Sequence, residues 1–321
     1  MTAVEVKKKL TQHFKLANLD GGDLGRPAIV VQERIFDLEI VDNSVDRTSA
    51  TLNMALPNTT RALIEQYESC RERLVEIATA ISTNKATEGE RTKITFRPPV
   101  LYPWNLVAVA VNYRAHGEEM NRELDDNYVK DPPYLFTKSP RACLLATEEP
   151  LTLPKGRTMI DWELELAAII GKKARNVTRE CAKDYIWGYG LILDISDRQM
   201  LGRDNAFFNV DWFNAKTRDG FAPMGPFIVP AEFVPNHANL HMELSVNEKV
   251  MQDYSTKYMN HNVEELVDFI TSIQTLEAGD VIATGTPPGV GKGRKPPVFL
   301  EAGDVIRAEI EDICSITTPI V

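Results

Sequence analysis

Carboxylates dominate the most informative stretch of the chain, MIDWELELAAIIG at residues 159–171. In an extended backbone Asp161, Glu163 and Glu165 share one face, while Trp162, Leu164 and Leu166 share the other. Three acids on one strand face repel one another unless they meet solvent or a cation. One reading is a strand with a solvated face. The other sets the acids at the rim of a cavity, because the strand runs on into the buried-type sequence AAIIG. Carboxylate oxygens are hard ligands and select Mg²⁺, Mn²⁺ or Ca²⁺ over zinc. A further ligand is available in LILDISDR, residues 191–198, where Asp194 interrupts an apolar run. An ionised carboxylate there is costly unless paired or bound to metal; a capping role at a strand end is the alternative.

A second constellation lies in AVAVNYRAHGEEM, residues 108–120. His116 and Glu119 are three residues apart, so one helical turn brings their side chains together. A carboxylate beside histidine favours the imidazolium and orients the ring, which suits a base that activates water. The alternative is an exposed loop histidine. His13, His237, His241 and His261 lack such a setting and are read as surface residues.

The loop TGTPPGVGKG, residues 284–293, invites a nucleotide reading that its residues refute. A phosphate-binding loop needs a first glycine where Thr286 stands, a hydroxyl where Gly293 stands, and a helix to follow. Pro296 and Pro297 prevent that helix. Thr286, at the end of an apolar strand, is the better candidate for touching ligand, and Lys292 is expected in a solvated turn.

These residues need elements to hold them. AIVVQERIFDLEI at 28–40 reads as strand, turn, strand. Residues 58–82 carry apolar positions at helical spacing, with Asn58 or Thr59 to cap the start. Polar, proline-punctuated sequence then marks a boundary near residue 98, giving a small α+β N-terminal domain (1–98) and a main domain (99–321). The main domain is dominated by short β-type runs such as ELELAAIIG and DVIRAEI, with one convincing helix at 263–275, and should be mostly β, a sandwich or roll. The net charge of −10 excludes a nucleic-acid partner in the absence of a basic stripe. No apolar run reaches the ~18 residues of a membrane span, and no signal-peptide core opens the chain. Four scattered cysteines argue against disulfides or structural zinc, so a reducing, cytoplasmic setting is expected.

Taken in order, NYRAHGEE (112–119), DWELELAAIIGKKARNV (161–177), DYIWGYGLILDISDR (184–198), AKTRDGFAPMGPFIV (215–229), LSVNEKVMQ (244–252) and LEAGDVIATGTPPGVG (276–291) resemble the fumarylacetoacetate hydrolase family. The resemblance covers roughly residues 99–321. It implies the family's mixed β-roll, mainly β with some α, usually as a homodimer. It implies Glu163, Glu165 and Asp194 as ligands of Mg²⁺ or Mn²⁺, with Asp161 in the motif but not a ligand. His116 and Glu119 match a water-activating dyad, Lys216 a lysine that contacts substrate oxygen, and Arg198 and Thr286 substrate-binding positions. Family substrates are small 2-oxo or 1,3-dicarbonyl acids. The polar stretch 121–133 is long enough for a lid.

The chain departs from the family pattern at Leu193, Asp197, Gln199 and Leu201, and Arg218 stands where an aromatic is frequent. Arg218 either binds a second carboxylate or sits on the surface, the latter being favoured. Three functions follow: a hydrolase cleaving a C–C bond in an acylpyruvate-like acid, a decarboxylase or isomerase of 2-oxo dicarboxylates such as oxaloacetate, and a non-catalytic binder of 2-oxo acids. The retained His116–Glu119 pair favours the first.

Overall fold

The run LELAAII forms the strand Leu164–Ile170, buried at every position. In the computed structural model, which describes residues 13–120, 131–202 and 207–321, this strand lies at the middle of a twelve-stranded mixed sheet. It pairs antiparallel with Ile186–Leu193 on one side and Val281–Ala283 on the other. Val281–Ala283 in turn runs parallel to Leu106–Ala110. A second, four-stranded antiparallel sheet is built from His241–Val246, Lys249–Ser255, Val305–Ile310 and Cys314–Pro319. The expected mainly β family fold is what the chain adopts.

Both faces of the central strand are covered, which accounts for its nearly continuous apolar sequence. Leu164, Leu166, Ala168 and Ile170 join a core with Leu244 and Ile310 of the second sheet and Leu266, Val267 and Ile270 of the helix Val263–Ile273. Ala167 and Ile169 face a different core, closed by Leu74, Ile77 and Ile81 of the helix Tyr67–Ser82. Asn262 starts the Val263–Ile273 helix with a capping box, accepting from the Glu265 N–H while the Glu265 carboxylate accepts from the Asn262 N–H, both at 2.9 Å.

The strand–turn–strand expected at 28–40 is present as Arg26–Val31 and Arg34–Asp37, turning at Gln32 and Glu33 with φ of 51° and 62°. Such left-handed pairs match the twist of a hairpin. The second strand stops at Asp37 because that side chain caps a helix, Leu38–Ser44. The single helix expected over 58–82 is two, Thr60–Glu65 and Tyr67–Ser82, with Thr59 capping the first and a break at Gln66. Beyond the break, Tyr67 is anchored separately, its hydroxyl donating to Glu232 at 2.8 Å and its ring edge-on to Trp187. The sheet runs across residue 98 without interruption, since Lys15–Leu19 pairs with Ala222–Pro230 at Leu16↔Ile228. Among the described residues no helix is long and apolar enough to cross a membrane.

The helical layer rests on a buried arginine. Arg73 is fully buried and donates to Asp42 Oδ1 (2.7 Å), Glu76 Oε2 (2.9 Å) and the carbonyls of Asp42 and Val45 (2.7 Å each). Removing it leaves the buried Asp42 carboxylate with Arg47 as its one arginine partner, at 2.7 Å, and takes the donor from the Asp42 and Val45 carbonyls. Arg73→Ala should lower unfolding free energy by about 3–5 kcal/mol, read as a shift of the urea midpoint at constant slope.

Candidate active site

Register, more than sequence spacing, assembles the carboxylates. Leu164 lies opposite Leu193, so Glu163 at the start of one strand meets Asp194 at the end of its partner, and the Asp194 N–H donates to the Glu163 carbonyl at 2.8 Å. Glu163, Glu165 and Asp194 each bring an oxygen to within 4.8 Å of the others. All three are buried, which overturns the solvated-face reading of the acidic strand. Asp161 belongs to a different short strand, Ile160–Asp161, and serves other partners.

Two of the three ligand candidates are neutralised by the chain itself. Lys216 Nζ donates to Glu163 Oε2 at 2.8 Å and Asp194 Oδ2 at 2.5 Å. Arg198 Nη2 donates to Glu163 Oε1 at 2.6 Å, and buried Lys138 donates to Asp194 Oδ1 and to the Ile195 carbonyl. Burial pushes the Glu163 carboxyl up, but Lys216, Arg198 and His116 outweigh it and hold it well below the usual carboxylate range. Burial likewise works against the Lys216 ammonium, yet Asp194 and Glu163 raise it above its ordinary value.

Glu165 is different. Its only hydrogen bond among the described residues comes from the Gly285 N–H at 2.7 Å. Burial, reinforced by Asp194 and Glu163, pushes its carboxyl well above the usual range. A buried, all-oxygen donor set with one carboxylate lacking a counter-charge fits a hard divalent cation such as Mg²⁺ or Mn²⁺. Gly285 makes the approach possible: its φ is +95°, and a Cβ there would lie 2.6 Å from that of Asn112.

The dyad is held from behind. Asn112 closes the strand Leu106–Ala110 onto neighbouring loops, its amide donating to the carbonyls of Thr284 (2.7 Å) and His261 (2.9 Å). The helix Arg114–Glu119 follows at once and sets His116 Nδ1 2.7 Å from Glu119 Oε1. A carboxylate only accepts, so Nδ1 carries the proton, and Nε2 of the neutral ring is the free base. The other Glu119 oxygen accepts from the Gly289 N–H at 2.8 Å.

The turn 289–293 is thus fastened at both ends. Asp161 takes the N–H groups of Gly291 (2.7 Å) and Lys292 (3.0 Å) as well as Arg198 Nε (2.8 Å). Thr286 spends its hydroxyl on the Leu164 carbonyl (3.0 Å) and accepts from Gln252 Nε2 (2.8 Å), whereas its backbone N–H has no partner among the described residues.

His116, Glu163, Glu165, Asp194, Arg198, Lys216 and Thr286 all line one cavity of about 450 Å³, with Glu119 just behind His116. Lys292, exposed as expected of a solvated turn, lines it too, so the loop contributes from both ends. Arg218 stays off the cavity and donates to buried Asp197 at 3.2 Å. Of the four histidines expected at the surface, His241 is exposed; His13, His237 and His261 are half-buried against other elements, and none lines the cavity. Residues 121–130 of the expected lid lie outside the described residues. Sequence reasoning missed Lys138, whose surroundings in FTKSP carry no local sign of the site, and did not single out Gln252, which ends the family-like string LSVNEKVMQ at 244–252.

Glu165→Gln removes the uncompensated charge while keeping an oxygen for the Gly285 N–H. Thermal unfolding should show the metal-free variant at least as stable as the parent, and the stabilisation by added Mn²⁺ lost. An unchanged Mn²⁺-induced rise would remove Glu165 from the ligand set.

The family description "Fumarylacetoacetate (FAA) hydrolase C-terminal" matches residues 105–321. The chain is 34% identical over 267 residues to the mitochondrial oxaloacetate tautomerase fahd2 of Xenopus laevis, covering 83% of this chain and 80% of that one. Among solved structures it is similar to a fumarylacetoacetate hydrolase from psychrophilic Exiguobacterium antarcticum (TM-score 0.74, 30% identity, 96% of this chain and 99% of that one). It is also similar to maleylpyruvate hydrolase from Sphingobium sp. SYK-6 in complex with manganese(II) and pyruvate (TM-score 0.70, 29% identity, 96% and 98%). With two thirds of its length matched and the acidic cluster, dyad and loop in one cavity, the chain belongs to the fumarylacetoacetate hydrolase family.

Proposed function

We propose that the chain is a divalent-cation-dependent hydrolase that cleaves a C–C bond in an acylpyruvate-like or β-diketo (2-oxo) acid. The observation that carries this reading is the His116–Glu119 bond of 2.7 Å beside the carboxylate cluster. Hydrolysis needs a base for water, and Nε2 of His116 is free for that task.

Glu163, Glu165 and Asp194 would hold Mg²⁺ or Mn²⁺. When bound, the cation supplies a Lewis acid for the 2-oxo group and for the enolate charge that cleavage releases. The Thr286 N–H is available to the substrate carboxylate, and Arg198 stands on the same wall. Lys216 uses two of its three N–H donors on Glu163 and Asp194, leaving one for a substrate oxygen. His116 takes a proton from water as the water oxygen bonds to the distal carbonyl carbon. The C–C bond then breaks, its electron pair passes to the 2-oxo acid as an enolate, and the proton returns from His116 to that carbon. The products are a carboxylic acid and a shorter 2-oxo acid.

A second reading, keto–enol tautomerisation or decarboxylation of a 2-oxo dicarboxylate, is favoured by the likeness to the Xenopus oxaloacetate tautomerase. It needs proton transfer at carbon and oxygen but no attacking water. The two readings separate in one NMR-monitored panel with Mg²⁺ or Mn²⁺. Acylpyruvates should be hydrolysed, and His116→Ala should slow this by about 10²–10⁴-fold. A metal-loaded protein that spares every acylpyruvate yet speeds oxaloacetate interconversion or decarboxylation, with His116→Ala retaining most of that activity, would establish the second reading.

A further inference from the structure

Asp161 stands two residues before Glu163, yet its carboxylate has no capacity left for a cation. The side chain is fully buried, and four N–H groups converge on its two oxygens. Oδ1 accepts from the Trp162 N–H at 2.9 Å and the Gly291 N–H at 2.7 Å. Oδ2 accepts from the Lys292 N–H at 3.0 Å and from Arg198 Nε at 2.8 Å. A carboxylate offers about four lone-pair sites, so this one is filled by the chain alone. A buried charge satisfied in this way fixes the donors around it.

Two of those donors belong to the turn 289–293, and the turn leads to the dyad. Its Gly289 N–H donates to Glu119 Oε2 at 2.8 Å, and Glu119 Oε1 lies 2.7 Å from His116 Nδ1. A Cβ at Gly293 would lie 2.9 Å from the Glu119 carboxylate, so the turn sits directly against that side chain. The path from Asp161 to the imidazole therefore runs through the backbone N–H groups of one turn. The cation candidates are held by other means. Glu165 accepts from the Gly285 N–H, Asp194 is paired with Lys138 and Lys216, and Glu163 with Lys216 as well as Arg198.

We infer that Asp161 is the positioning residue of the His116–Glu119 dyad, holding it in place through the turn, and is not needed to gather the carboxylates of the cation site. This deepens the proposed function and rests on its assignment of His116 as the base for water. Replacing Asp161 by asparagine shows why the charge matters. Whichever way the amide is turned, its NH₂ group faces two of the four N–H donors, and those two lose their acceptor. The turn must then move, and Glu119 with it.

Proton NMR of the metal-free protein reads the dyad directly, through the downfield Nδ1–H of His116, assigned by its absence in His116→Ala. In Asp161→Asn this resonance should shift or vanish, and kcat for acylpyruvate hydrolysis should fall about 10–100-fold. The rise in unfolding temperature on adding Mn²⁺ should remain. Gly291→Ala is a second arm that keeps Asp161 and decides the matter if Asp161→Asn does not fold. Its Cβ would lie 1.9 Å from the Val298 carbonyl oxygen and 2.8 Å from Asp161 Oδ1, so the turn is displaced and the same loss of the resonance is expected. A His116 resonance unchanged in both variants, or a Mn²⁺ response lost together with it, overturns the inference. A parent that hydrolyses no acylpyruvate overturns the hydrolase reading instead, and the resonance still decides whether Asp161 holds the dyad.

Discussion

The site depends on one electrostatic constraint, the gathering of three carboxylates inside the protein. Burying like charges together is unfavourable unless each finds a partner. The chain supplies partners for two of them through Lys216, Arg198 and Lys138, and leaves Glu165 with a single backbone N–H. The residual imbalance leaves a buried set of oxygen donors that could hold a hard divalent cation. It also explains why so many lysines and arginines are buried here, where they would otherwise be costly.

The loop after Val281–Ala283 ties the rest of the site to this cluster. Gly285 reaches Glu165, Thr286 reaches the Leu164 carbonyl, Gly289 reaches Glu119, and Gly291 and Lys292 reach Asp161. A displacement of the loop would therefore disturb the carboxylates, the dyad and Arg198 together. Loops that carry function are usually positioned by a rigid scaffold; this one is also fastened to the side chains it serves. Its glycines and prolines, which suggested a nucleotide site, act by letting backbone N–H groups approach carboxylates of the same chain.

Hydrolase and tautomerase readings share the base of the cavity, since both need a polarised 2-oxo acid and charge stabilisation at an enolate. They part at the His116–Glu119 pair, since only hydrolysis needs a base for an attacking water. Fold alone does not choose between them, because one scaffold can host several chemistries.

Much of the candidate site was legible in the sequence because its carboxylates and its histidine lie in short, specific strings. Glu163 and Glu165 alternate on one strand, Asp194 interrupts an apolar run, and His116 and Glu119 share a helical turn; each pattern is local and has a chemical reason. The β-rich architecture followed from the same period-two runs. What only tertiary structure decided was non-local. The pairing of Leu164 with Leu193 fixed which carboxylates meet, and burial of both sheet faces turned an apparently solvated acidic face into an interior one. Lys138 entered the site from a segment with no motif, Gln252 from a family-like string that did not single it out, and Lys292 proved to line the cavity because distant Asp161 and Glu119 hold its turn in place. Spacing along the chain reports neighbours on one element, whereas charge compensation in an interior is settled by whichever elements the fold brings together.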